Sequence, residues 1–385
     1  MPIHRNLSFI ITFAAAALMQ FSSAIAWASN SDKEPAYYLG ADLSYVNEME
    51  DCGAVYREKG QPRDVFELFA ARGANLVRVR IWNDPDWTNY SDLEDVKQTI
   101  ARSRKAGMQL LLDFHYSDDW ADGDKQIIPR AWAEITSDEE LARRLYQFTL
   151  DTLLELQREN LLPELVQVGN ETNPEIMRGA KNGKEPINWQ RNALLFNAGI
   201  RAVRDASAKS GQPIKVMLHI AQPENVQAWF EAADQAGVTD FDQIGISYYR
   251  RWSSEDFDGL KETIETMHAR YPAAEIILVE TAYPWTVEGV DEAANLLSEN
   301  TLIKGYAATP EGQAGYMVDL TQLVIDAGGH GMVYWEPAWV STPCSTRWGQ
   351  GSHWENATFF DFNNNNEVLP AIDFLNHDYR RPHEK

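Results

Sequence analysis

Leu165-Val-Gln-Val-Gly-Asn-Glu171 is a run of strand-forming residues that ends in an amide and a carboxylate and is broken by Asn173-Pro174. Alternating Val and Leu favour a buried strand, and the Pro that follows cannot donate to a sheet ladder, so the strand stops close to the acid. The design recurs at Glu275-Ile-Ile-Leu-Val-Glu280-Thr-Ala-Tyr-Pro-Trp285, with Glu280 at the strand end. A carboxylate that closes an apolar strand is costly to bury unless it is paired or used. The fold must therefore bring two strand ends to one place.

The rest of the chain repeats one unit. Strands are expected at 38–44, 75–81, 108–115, 165–171, 214–220, 243–249, 276–281 and 331–336. Helices are expected between them at 62–72, 91–107, 137–160, 188–209, 224–236, 254–270 and 311–327, with Ser91 and Glu94 as a capping box and a short closing helix at 368–375. Near-continuous apolar strands between amphipathic helices are what a parallel sheet buried on both faces requires. The fold class is α/β, a single (β/α)8 TIM barrel, and the chain carries no phosphate-binding glycine turn of the kind that marks an open doubly wound sheet. Loop lengths agree: 72–75 and 106–108 are short, whereas 116–136, 172–187, 282–310 and 337–363, which follow strands, are long. Long loops on the face where barrel strands end are where such barrels work.

Charge and the amino terminus narrow the setting. A net charge of -23 over 385 residues repels nucleic acid and anionic membranes, so the substrate is expected to be neutral or cationic. His4 and Arg5, an apolar run from Leu7 to Phe21, and the small-residue sites Ala24-Ile-Ala26 and Ala26-Trp-Ala28 read as a secretory signal. The run is shorter than the roughly 20 residues of a membrane span. A signal peptide over 1–28, cleaved near Ala26 or Ala28, and a catalytic domain over 29–385 are expected, with export to the periplasm or medium.

Closing the barrel would place Asp42, Arg80, His115, Asn170, Glu171, His219, Tyr248, Glu280 and Trp335 around one mouth. Each alone has a plain structural explanation: Arg80 as half of an ion pair, the histidines as satisfied core groups, Trp335 as filling. Two carboxylates across the mouth, however, suit glycosidic cleavage, which needs one protonated acid and one ionised nucleophile. Arg80 and the Tyr248 hydroxyl are the expected partners that keep Glu280 ionised, with Asn170 positioning Glu171 and His115 supporting. A metal centre is the rival reading, and cationic Arg80 opposes it. Trp82, Trp87, Tyr116, Trp120, Trp132, Trp285, Trp339, Trp348 and Trp354 crowd these loops with faces able to stack on sugar rings; Trp82, Trp285, Trp335, Trp339 and Trp348 are expected to bind substrate, with Asp42 and His219, whereas Trp87 and Trp132 are expected to be loop core.

Tyr38-Leu-Gly-Ala-Asp-Leu-Ser-Tyr45, Val77-Arg-Val-Arg-Ile-Trp82, Leu112-Asp-Phe-His-Tyr-Ser117, Gln167-Val-Gly-Asn-Glu171, Val279-Glu-Thr-Ala-Tyr-Pro-Trp285 and Tyr334-Trp335-Glu336-Pro337 together resemble the endo-β-1,4-galactanase (arabinogalactan endo-1,4-β-galactosidase) family of glycoside hydrolases. The resemblance implies Glu171 as acid/base, Glu280 as nucleophile, retention of configuration, and a neutral substrate, the β-1,4-galactan side chains of pectin. Another β-1,4-glycanase of the same clan, or a non-catalytic polysaccharide-binding barrel, is the alternative. No cofactor is implied. Structural calcium, known in some bacterial relatives, is not expected, because only scattered acids lie between Trp285 and Gly305. Arg250-Arg251-Trp252 departs from the family, in which a proline is expected before the aromatic. A monomer is expected.

The chain has two cysteines, Cys52 and Cys344, which in an exported protein could be free or paired. In a closed barrel the loops after the first and eighth strands are neighbours, so a disulfide is expected.

Overall fold

The computed structural model describes Met1 and residues 36–179 and 185–380. Apart from Met1, the expected signal segment 1–28 lies outside the described residues.

Eight parallel strands close into a barrel: β1 (Tyr38–Asp42), β2 (Leu76–Ile81), β3 (Gln109–Phe114), β4 (Leu165–Val168), β5 (Lys215–Ala221), β6 (Gln243–Ser247), β7 (Glu275–Glu280) and β8 (Gly331–Tyr334). The ring closes where Tyr38 of β1 lies opposite Gly331 of β8. Among the described residues a short helix, Val46–Asp51, follows β1 directly, and seven longer helices pack outside the first seven strands: α1 (Val65–Ala71), α2 (Leu93–Lys105), α3 (Asp138–Arg158), α4 (Trp189–Ser210), α5 (Pro223–Gln235), α6 (Phe257–Arg270) and α7 (Pro310–Asp326). After β8 the expected closing helix is a 3-10 turn, Pro370–Asn376. Asp92, not Ser91, caps α2, accepting from the Asp95 N–H at 2.9 Å; Ser91 sits at φ 58 and donates its own N–H to the Asp95 carboxylate.

Side chains alternate across the barrel wall. Leu76, Leu111, Leu165, Met217, Ile277 and Val333 form an apolar cluster inside the ring, separate from the core that Val77, Val79 and Ile81 build against the helices. Beyond that inner cluster the same inward parity becomes polar: Arg78 and Arg80 follow Leu76, Asp113 and His115 follow Leu111, Gln167 follows Leu165, and His219 follows Met217. The buried floor thus supports a polar layer at the mouth.

The long loops on this face are tied to one another. Two-residue strands at Arg57–Glu58, Gln61–Pro62, Phe360–Asp361 and Glu367–Val368 form a small sheet joining the chain after β1 to the chain after β8. A disulfide between Cys52 and Cys344 links the same two regions across 292 residues of sequence.

Candidate active site

β4 stops at Val168, and Gly169 turns the chain at φ +85, where an added Cβ would lie 2.6 Å from Thr172 Cγ2. Glu171 follows at φ 43, a left-handed conformation that costs a non-glycine residue about 1–3 kcal/mol and persists where surrounding bonds enforce it. Here the Thr172 N–H donates to His219 O at 3.1 Å, anchoring the turn to β5. The strained turn aims Glu171 into the mouth. Glu280 needs no turn, being the last residue of β7. One carboxylate oxygen of each acid and a ring nitrogen of His219 all lie within 4.8 Å of one another.

Arg78 organises the layer beneath them. Its buried guanidinium reaches Glu280 Oε1 at 2.8 Å, Asp42 Oδ2 at 2.9 Å and Asp113 Oδ2 at 2.8 Å, and donates to Asn170 Oδ1 at 2.7 Å. The Tyr249 hydroxyl donates to the other oxygen, Glu280 Oε2, at 3.0 Å. Glu171 has weaker company: Ser247 Oγ donates to Oε1 at 2.6 Å, and the Gly123 N–H reaches Oε2 at 3.4 Å. Ser247 also meets His219 Nε2 at 2.8 Å. On the other side of that ring, Gln167 Nε2 at 3.1 Å and the Glu171 N–H at 3.4 Å are donors, against one acceptor, Asn170 Oδ1 at 3.0 Å, which Arg78 already serves. This balance makes Nδ1 the acceptor and Nε2–H the donor to Ser247. Burial, reinforced by Arg78, holds His219 neutral, its pKa well below 6.5.

Burial raises both carboxyls above the usual carboxylate range, Glu171 to about 7. Arg78 pulls Glu280 down, and the charge of Glu171 pushes it up. Against its burial, Arg78 and His115 hold Asp113 below the usual carboxylate range. Two carboxylates this close ionise in sequence, so in the working state one acid holds a proton while the other is the anion. The contacts decide its place: a guanidinium and a phenol favour the anion on Glu280, while Glu171 faces only a neutral hydroxyl and an amide. The proton belongs on Glu171.

Several expected residues are placed elsewhere. Arg80 does not reach Glu280: it pairs with Glu336 at 2.5 Å, and Arg78, one inward position earlier, takes the expected role. Tyr248 points out of the barrel and donates to Glu255 O at 3.2 Å; its neighbour Tyr249 is the tyrosine that reaches Glu280. Asp42 holds Arg78, and His115 pairs with Asp113 at 3.1 Å. Trp82, Trp285, Asp42 and His219, expected against substrate, do not line the cleft above the acids. Trp285 is loop core, its Nε1–H donating to Glu355 O at 3.3 Å. Trp132 packs on Phe148 as expected, whereas half-buried Trp87 packs edge-on against Trp348.

The cleft has a volume of about 930 Å³. Trp335, Trp339 and Trp348 line it together with Trp120 and Trp354, which the sequence also offered, and Trp252, which it did not. Glu171, Glu280, Asn170 and Tyr249 open into it. The Glu171, His219 and Glu280 ligand set could in principle take a cation, but Arg78 already places a positive charge on Glu280, and Gln167 and Ser247 occupy the His219 nitrogens.

A parallel eight-stranded barrel with carboxylates at the ends of β4 and β7 under a tryptophan-lined cleft defines a glycoside hydrolase. Residues 38–375 match glycosyl hydrolase family 53, and the chain belongs to that family. It is 54% identical over 359 residues to the arabinogalactan endo-beta-1,4-galactanase of Cellvibrio japonicus, covering 93% of this chain and 95% of that protein. It is 31% identical to the endo-beta-1,4-galactanase of Bacillus subtilis over 87% of this chain and 84% of that one. The solved family 53 catalytic domain of Ignisphaera aggregans superposes with a TM-score of 0.81 at 31% identity, covering 91% of this chain and 98% of that domain.

Proposed function

We propose that this protein is an exported, monomeric endo-β-1,4-galactanase that cleaves β-1,4-galactan by double displacement with retention of configuration. The observation that carries the reading is the Glu171–Glu280 pair, with carboxylate oxygens within 4.8 Å, in a chain 54% identical to an arabinogalactan endo-beta-1,4-galactanase. A retaining pair stands about 5–5.5 Å apart, whereas inverting pairs need about 6.5–9.5 Å to admit water.

In the first step Glu171 gives its proton to the glycosidic oxygen while a Glu280 oxygen attacks the anomeric carbon. The C–O bond to the leaving sugar breaks, and a glycosyl ester forms on Glu280. Arg78 and Tyr249 keep Glu280 ionised until it reacts. Glu171, now an anion, takes a proton from water, whose oxygen attacks the anomeric carbon and releases Glu280. The Ser247 hydroxyl steadies the Glu171 anion between the steps. The rings along the cleft fit a chain of neutral sugars, and the net charge of -23 suits a neutral galactan.

The test is a digest of unbranched galactan, β-mannan and soluble cellulose by purified protein, with products sized over time. Rapid shortening of galactan with mixed oligosaccharides supports the reading; faster cleavage of mannan or cellulose would replace it. Amino-terminal sequencing of protein recovered outside the cytoplasm tests export, with a new terminus near residue 27 or 29 expected. Light scattering tests the monomer.

A further inference from the structure

The mechanism leaves a buried ion pair unused. Arg80 is 2% exposed and Glu336 is wholly buried, and neither opens into the cleft or touches either catalytic acid. A buried pair is a poor device for stability, since apolar residues of similar volume would serve as well or better. Its neighbours suggest another purpose. The Arg80 guanidinium carbon lies 4.2 Å from the Tyr45 ring centroid, 4.4 Å from that of Trp120 and 5.1 Å from that of Trp82. Tyr45 in turn stacks on Trp339 at 4.2 Å with 21° between planes. Trp120 contacts Trp335 at 5.7 Å and Trp348 at 6.3 Å. Glu336 fixes the arrangement with both oxygens, one on Arg80 and the other accepting the Tyr45 N–H at 3.2 Å.

We infer that Arg80 and Glu336 are positioning residues that set the affinity of the sugar-binding cleft by locking Trp120 and Trp339 through this cation and aromatic stack. Trp120 comes from the loop after β3 and Trp339 from the loop after β8. Loops hold side chains loosely unless something rigid supports them. Arg80 stands on the rigid end of β2 and offers a flat cation whose faces stack on rings while its edge is held by Glu336. Tyr45 transmits the placement to Trp339, and direct contact transmits it to Trp120. The Arg80 Nε and Tyr45 Oη atoms are buried without hydrogen-bond partners, so ring contacts and one carboxylate hold the guanidinium. Lysine could keep the charge but not the flat stack.

The inference rests on the cleft being a glycan site, and its test is a ratio between variants. Arg80→Lys and Glu336→Gln are compared with wild type on whichever β-glycan the wild type cleaves fastest, so that failure on galactan rejects the proposed substrate without touching this inference. Expected for both is a rise in KM of about tenfold with kcat within about twofold, about 1.4 kcal/mol of lost uniform binding. The limbs of the pH profile stay in place, because Arg80 contacts neither acid. On a Trp120→Ala background, Arg80→Lys adds little further rise in KM, since the two act through one contact. Unchanged KM in a folded variant, a loss confined to kcat, a moved pH limb, or full additivity with Trp120→Ala would each overturn it. Should Arg80→Lys not fold, Glu336→Gln carries the same comparison, because its amide oxygen still accepts from Arg80 while its NH2 group no longer accepts the Tyr45 N–H.

Discussion

Tyr249→Phe removes one oxygen atom from the site and isolates what holds Glu280, the proposed nucleophile. The Tyr249 hydroxyl donates to Glu280 Oε2 at 3.0 Å inside a buried layer, and the phenyl ring that remains keeps its edge contact with Trp252 at 5.2 Å. A hydrogen bond to a charged group contributes about 1.5–3 kcal/mol, which is about tenfold to 150-fold in kcat/KM if it acts only on the reacting anion. Losing a donor to the anion also raises the Glu280 pKa, so the acidic limb of the pH profile moves to higher pH. Tyr248→Phe is the internal control, because that hydroxyl serves Glu255 O on the outer side of the wall, and its loss is expected to change kcat/KM by less than about twofold. Reducing-sugar release from galactan across pH measures all three enzymes. Equal losses in the two variants, or a larger loss in Tyr248→Phe, would refute the assignment of Tyr249.

Other outcomes follow from the same contacts. Ser247→Ala removes the donor to Glu171 Oε1, so the Glu171 pKa climbs above about 7 and the basic limb shifts to higher pH; a downward shift on the same pH–rate profile would contradict the part given to the Ser247 hydroxyl. Glu355 is buried with Oε2 unpartnered, and burial raises its pKa to about 7. A raised folded pKa gives stability that is full below the unfolded carboxylate pKa and lost as pH rises through about 7. Glu355→Gln should therefore raise the melting temperature relative to wild type more at pH 8 than at pH 5, and an equal difference at both would count against this. Replacing Cys52 and Cys344 together by Ser reopens a 292-residue connection and should lower unfolding free energy by on the order of 5–6 kcal/mol in the chain-entropy account, read from denaturant curves.

The barrel was legible because its strands and helices each repeat a period long enough to count, and the acids were legible because each closes an apolar strand. The partners of Glu280 needed more. Arg78 and Arg80 share one inward parity, so alternation cannot separate them; strand tilt decides which of the two reaches β7, and tilt belongs to the closed barrel. Tyr249 was recoverable. In Gly245-Ile-Ser-Tyr-Tyr249 the apolar Ile246 and outward Tyr248 share one parity, and Ser247 shares the other with Tyr249. The aromatic residues were the hardest, since Trp120, Trp252 and Trp285 lie in loops without period, where only packing distinguishes a cleft wall from loop core. The two-residue strands around Arg57 and Phe360 are too short to show alternation at all.

Glu171 and Glu280 are proposed to work as a retaining pair. Proton NMR of the first sugar released from β-1,4-galactan, followed before mutarotation, tests it most directly. A retaining pair makes the new reducing end appear first as the β anomer, and Glu280→Ala is expected to abolish this turnover and, given azide, to yield the α-glycosyl azide. An α anomer appearing first, or near-native hydrolysis by Glu280→Ala, would contradict it.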